Sequence, residues 1–240
     1  IEGSELEDPA TIPEDDIYDW TTTPGGKDAE LVEVAFEAGE PTALDGEPVE
    51  PVELIEALNE RAGAHGVGRT DMMEDRMLGL KVRENYEHPA ATVLLNAHAG
   101  LEALVLTKDE LDFKTTVDDE WAQKGYEGLV DAPVVSALEG FIDETQKKVT
   151  GTVTIKLEGG QARVVARESE YAVYSESAAS FNTETVDGIE QADATGVAKY
   201  HGFQGRLANE VAAKVAESKA ELAADGGDAT ATDVTGESTE

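Results

Sequence analysis

A change of hydrophobic period near residue 150 constrains this fold more than any other feature of the chain. Val153, Ile155 and Leu157 alternate with Thr152, Thr154 and Lys156, then Gly159-Gly160 leads into Ala162-Arg163-Val164-Val165-Ala166-Arg167. Period two on both sides of a glycine pair predicts an antiparallel hairpin with one apolar side.

Upstream, the period is 3.6. Leu54, Ile55, Leu58 and Ala62 form a stripe opposite Glu53, Glu56, Asn59 and Glu60, with Pro51 suited to the first turn and Gly63 or Gly66 to the stop. A second helix begins at Pro89 and turns Val93, Leu94, Ala97, Leu101, Leu104 and Val105 inward. A third falls within 109–130, its start weakened by Thr115-Thr116-Val117, and a fourth follows Pro133 with Val134, Leu138, Phe141 and Ile142. Leu31–Phe36 is a strand candidate, and Thr42-Ala43-Leu44 is its partner across the turn at 38–41. Residues 67–86 are irregular or stranded, and Tyr171-Ala172-Val173-Tyr174 is a further strand candidate.

The last periodic element is a helix at 202–223, with Phe203, Leu207, Val211 and Val215 at four-residue spacing. Such a stripe must be covered, and another subunit is the natural cover once the domain's own core is closed. The expected class is therefore α+β: mixed helices with antiparallel strands and a C-terminal oligomerisation helix. The expected organisation is an extended connector at 1–29 interrupted by Pro9, Pro13 and Pro24, a main domain at 30–200, the oligomerisation helix at 201–223 and a disordered acidic tail at 224–240.

Charge narrows the range of functions. Asp and Glu number 52 against 18 Lys and Arg, a formal net charge of -34, and cysteine is absent. A polyanion of this kind repels nucleic acid and acidic lipid, so neither is an expected partner. Disulfides, thiol chemistry and cysteine-ligated metals are excluded. Concentrated salt screens such self-repulsion, which makes adaptation to high salt the economical explanation. No apolar run approaches the roughly 18 residues of a membrane span, and the start lacks a secretory pattern, so the cytoplasm is the expected location.

The densest chemistry lies between His65 and Pro89. Arg69, Arg76, Lys81 and Arg83 stand there among Asp71, Glu74, Asp75, Glu84 and Glu87, with His65 and His88. Arginines gathered in one segment of so acidic a chain imply specific pairing, either as a buried ion-pair network or as a site. Gly66-Val67-Gly68 has no third glycine at phosphate-loop spacing, so an ATP-binding loop would lie outside these residues. The histidines show no metal-ligand spacing; His65 and His98 fit helix ends or the core, and no metal site is expected. Ser169, Ser175, Ser177 and Ser180 sit in no nucleophile elbow, and no residue of the chain is expected to be catalytic.

The run Leu58–Arg69, with Asp71, Glu74-Asp75-Arg76, Lys81, Arg83, Tyr86-Glu87 and Pro89-Ala90, resembles argininosuccinate synthase. So do Gly151-Thr152-Val153, Arg167-Glu168-Ser169, Asp193-Ala194-Thr195-Gly196 and the opening Ile1-Glu2-Gly3. The resemblance is to the carboxy-terminal catalytic and multimerisation half. It implies a ligase joining citrulline to aspartate through a citrullyl-adenylate, with release of AMP and pyrophosphate. ATP with Mg2+ would be bound mainly by an amino-terminal half not contained in these residues, so this part alone would be inactive. It further implies a homotetramer, citrulline contacts at Glu74 and Tyr86, and Arg69, Asp71, Arg76 and Arg83 holding those two in place. The alternative is a noncatalytic acidic oligomerisation module of the same fold.

Overall fold

The structure is a computed structural model that describes residues 4–174 and 191–225. The chain divides into two compact units, one up to Tyr174 and one from Ser175 onward.

The first unit opens with short 3-10 turns at Ser4–Glu7 and Asp15–Ile17 in an otherwise irregular connector. Strands β1 (Glu30–Glu37), β2 (Glu40–Leu44) and β3 (Glu47–Pro48) follow, then helix α1 (Pro51–Gly63), strands β4 (Arg69–Asp75) and β5 (Lys81–Glu87), and helices α2 (Pro89–Val105), α3 (Lys108–Tyr126) and α4 (Pro133–Gln146). Strands β6 (Gly151–Glu158) and β7 (Gln161–Glu168) complete it. Proline opens α1, α2 and α4, where its missing N–H removes no helical bond.

Five strands form one antiparallel sheet in the order β3-β2-β1-β6-β7, so the predicted hairpin at its edge pairs with the first strand of the chain. Val32 lies opposite Ile155 and Val34 opposite Val153. Alternation then puts Val32, Val34, Phe36, Val153, Ile155 and Leu157 on one face, all buried. Leu54, Leu58 and Ala62 of α1 and Val93, Ala97, Leu101 and Val105 of α2 close over that face as one core. Gly100 lets α2 approach β7, since a Cβ there would stand 3.0 Å from Val164.

Of the two alternatives for residues 67–86 the stranded one holds, as they contain the separate two-stranded sheet β4-β5. Two local expectations change. Helix α3 starts without weakness at Lys108, because Thr107 and Glu110 form a reciprocal capping box and Thr115 returns its hydroxyl to the Leu111 carbonyl inside the helix. Tyr171–Tyr174 adds no strand; the Val173 N–H donates to the Leu104 carbonyl in the last turn of α2 instead.

The second unit holds helix α5 (Gln191–Tyr200), which has no clear apolar stripe to announce it, and helix α6 (Phe203–Asp225). Phe203, Leu207, Val211 and Val215 of α6 are all exposed. Ile1-Glu2-Gly3, Ser175, Ser177, Ser180 and the tail from residue 226 lie outside the described residues. Among the described residues, no helix is long and apolar enough to cross a membrane.

Candidate functional site

The β4-β5 hairpin has two polar faces, and its register decides which residue stands on which. Thr70 pairs with Tyr86, Met72 with Glu84 and Glu74 with Val82; Arg69 pairs with Glu87, Asp71 with Asn85 and Met73 with Arg83. Directly opposed residues share a face, so Glu74, Glu84 and Tyr86 lie on one side and Arg69, Asp71, Arg83, Asn85 and Glu87 on the other.

On the first side, the long side chains of Glu74 and Tyr86 meet across the intervening Met72–Glu84 pair. The Tyr86 hydroxyl donates to Glu74 Oε1 at 2.5 Å, and Arg76 Nη1 donates to Glu74 Oε2 at 2.9 Å. Arg76 Nη2 donates to Glu84 Oε1 as well. Both carboxylate side chains are largely sequestered, at 13% exposure for Glu74 and 7% for Glu84. The hydrogen bond to Glu74, reinforced by burial, pushes the Tyr86 pKa up to about 12. The phenol therefore keeps its proton at neutral pH and serves as a donor. Tyr126, at the end of α3, brings a second phenol to Glu74 Oε2 at 3.5 Å.

The second side binds the connector. Glu87 accepts from the backbone N–H groups of Asp19, Trp20 and Thr21 at 2.8, 3.0 and 2.8 Å, and from the Thr21 hydroxyl at 2.7 Å. Burial pushes this carboxyl up, but those donors outweigh it and hold it below the usual range. Arg83 donates to the carbonyls of Asp8 and Thr11 at 3.0 and 2.8 Å and to Asp71 Oδ2 at 2.5 Å. The hydrogen bond from Arg83 lowers the Asp71 pKa. Arg69 donates to the Thr21 hydroxyl and carbonyl at 2.7 and 2.9 Å, and its guanidinium lies 3.9 Å from the Tyr18 ring centroid.

Of the four residues expected to hold Glu74 and Tyr86, Arg76 does so directly. Arg69 and Arg83 instead bind residues 6–21, and Asp71 pairs with Arg83, because strand alternation turns all three away from the pair. The two readings of this segment thus describe its two faces: an ion-pair network on one, a candidate site on the other.

Three contributors had no role assigned to them from the sequence. Glu84 stands two residues before Tyr86 and would have been visible once the segment was taken as a strand. His88 bridges the Thr70 and Thr92 hydroxyls and so ties the hairpin to the first turn of α2. Tyr126 carries no sequence signal linking it to Glu74. Gly66 and Gly68 prove to be packing positions: both have positive φ, and a Cβ would come within 2.7 Å of the Thr22 carbonyl oxygen at Gly66 and 2.6 Å of the Pro89 backbone at Gly68. A turn so closely covered does not cradle phosphates. His65 ends α1 and faces Glu30 Oε2 at 3.0 Å, and His98 pairs with Gln146. Grooves of about 630 Å³, between α2 and β7, and about 270 Å³, around Thr22–Lys27 and His65, lie apart from Glu74 and Tyr86.

Fold and surface together define a class: an α+β domain whose two-stranded hairpin presents carboxylates and a protonated phenol beside the Arg76 guanidinium. The family model described as "Arginosuccinate synthase C-terminal domain" matches residues 1–208, and the chain belongs to that family. An argininosuccinate synthase of Haloarcula marismortui is 73% identical over 212 residues, covering 88% of this chain and 50% of the relative. One of Natronomonas pharaonis is 73% identical over 212 residues, with coverage of 88% and 53%, and one of Methanococcoides burtonii is 59% identical over 208 residues, with coverage of 86% and 52%. The chain spans about half the length of the curated relatives it matches.

Proposed function

We propose that this domain supplies the citrulline-binding surface of an argininosuccinate synthase, with Glu74 and Tyr86 as the contacts. The observation that carries this reading is the Glu74–Tyr86 hydrogen bond inside a cluster where two carboxylates, Glu74 and Glu84, face the one guanidinium of Arg76. A cluster with one more negative than positive group suits a ligand bringing a single cationic group, as the α-ammonium of an amino acid does. The phenol adds a neutral donor and acceptor for a ureido group. These residues bind and orient; they transfer no proton.

In the complete reaction, ATP with Mg2+ would be held by an amino-terminal half, citrulline would be adenylated with loss of pyrophosphate, and the aspartate amine would displace AMP. The exposed stripe of α6 supports assembly into a homotetramer through that helix, and the acid excess supports work in a salt-rich cytoplasm.

The test is Glu74→Gln in a full-length enzyme carrying this domain. Removing one charge-assisted contact, on the order of 1.5–3 kcal/mol, lowers kcat/KM for citrulline roughly 10- to 100-fold. Light scattering should give the same tetrameric mass before and after the substitution. An unchanged citrulline dependence would reject the site, and a noncatalytic module would show no citrulline dependence at all.

A further inference from the structure

Tyr126 belongs to α3, an element separate from the hairpin, yet its hydroxyl joins the Glu74 cluster. It donates toward Glu74 Oε2 at 3.5 Å. Glu74 is therefore gripped by three donors: Tyr86 on Oε1, with Arg76 and Tyr126 on Oε2. The Tyr126 contact is the longest of the three, and the residue is 53% exposed, which puts it on the solvent side of the cluster, where a ligand would enter.

We infer that Tyr126 is a positioning residue for Glu74 and, through it, a determinant of affinity for the amino-acid ligand; the inference rests on the function proposed above. A carboxylate offers about four lone-pair directions. Three donors leave one, aimed at an incoming N–H. Glu84 holds the other arm of the Arg76 fork through Nη2, so Arg76 meets Glu74 through Nη1 and Tyr126 supplies the second donor on Oε2. The hydroxyl of Tyr126 thus keeps Glu74 held but available.

The experiment is Tyr126→Phe in the full-length enzyme, which retains the ring and removes only the hydroxyl. The KM for citrulline should rise about 3- to 10-fold, the effect of one neutral hydrogen bond, while kcat stays within about 2-fold and the KM values for aspartate and ATP do not move. A general loss of stability would not split the constants in this way. In the Glu74→Gln background the same substitution should add nothing, because its route runs through the carboxylate. An unchanged citrulline KM in Tyr126→Phe, or an equal increase with and without Glu74, overturns the inference while leaving the citrulline site standing. If Glu74→Gln has no effect on citrulline, the site itself falls and the inference falls with it.

Discussion

The two hairpins of the first unit are built on opposite principles. In β6-β7, Val153, Ile155 and Leu157 are sealed beneath α1 and α2, and pairing with β1 locks the register. In β4-β5 both faces are polar, Met72 and Met73 are exposed, and the neighbouring Met77, Leu78 and Leu80 are exposed too. What holds that hairpin is directional: Arg69, Arg83 and Glu87 bind the connector on one side, and Arg76 ties Glu74 to Glu84 on the other. Burial of an apolar face tolerates small shifts and responds weakly to salt, whereas hydrogen-bonded charges set side-chain position closely and depend on every partner. A recognition surface of the kind proposed above needs the second property.

The contrast can be broken most forcefully at the core. Leu58→Ala empties a fully buried position and should destabilise the unit by about 2–5 kcal/mol, read by denaturant unfolding with circular dichroism. A loss under about 1 kcal/mol would mean that the apolar layer is not the main support.

Arg83→Met comes next and acts locally. It keeps the length of the stem but removes the donors to Asp8, Thr11 and Asp71. Amide exchange should accelerate at residues 6–21 and along β4-β5 while β6-β7 stays protected. Equal acceleration in both hairpins would erase the distinction drawn here.

Glu110→Gln sharpens the comparison with the smallest effect, since α3 depends on both kinds of support. Glu110 bonds to Lys148 Nζ at 2.6 Å and closes the capping box with Thr107. The Lys148 hydrogen bond, followed by the Thr107 backbone and hydroxyl donors, holds its pKa down to about 2. A folded pKa below the unfolded value of about 4.3 contributes stability that is present above that value and lost as pH falls toward 2. The substitution should cost about 1 kcal/mol at neutral pH and flatten the acid-linked loss within that window, as thermal unfolding at stepped pH would show. An unaltered acid slope would mean that the carboxylate carries no such linkage.

Legibility in the sequence followed the same division. The alternation at 152–157 and the stripes of α1 and α2 were visible because burial sorts apolar from polar residues, and burial is what those elements do. The β4-β5 strands could not be told from irregular backbone because Thr70, Met72 and Glu74 on one face and Asp71, Met73 and Asp75 on the other are equally polar, leaving no period to detect. Tyr171–Tyr174 had the letters of a strand but pairs with none, and its Val173 N–H is satisfied by the Leu104 carbonyl instead. Glu74 and Tyr86 were singled out by resemblance; nothing in their spacing predicted that they would touch.

The amino-acid order alone determined where apolar groups repeat, where prolines open helices, how strongly the chain repels itself and that no thiol takes part. Tertiary structure decided which charges gathered around Glu74 and which bound the connector. Register sends neighbouring strand residues to opposite faces, so Arg83 turned toward the connector while Glu84 turned toward Arg76, and a helix end 52 residues downstream of Glu74 delivered Tyr126 to it. Those pairings follow from distances in space, which a one-dimensional pattern with two polar faces does not encode.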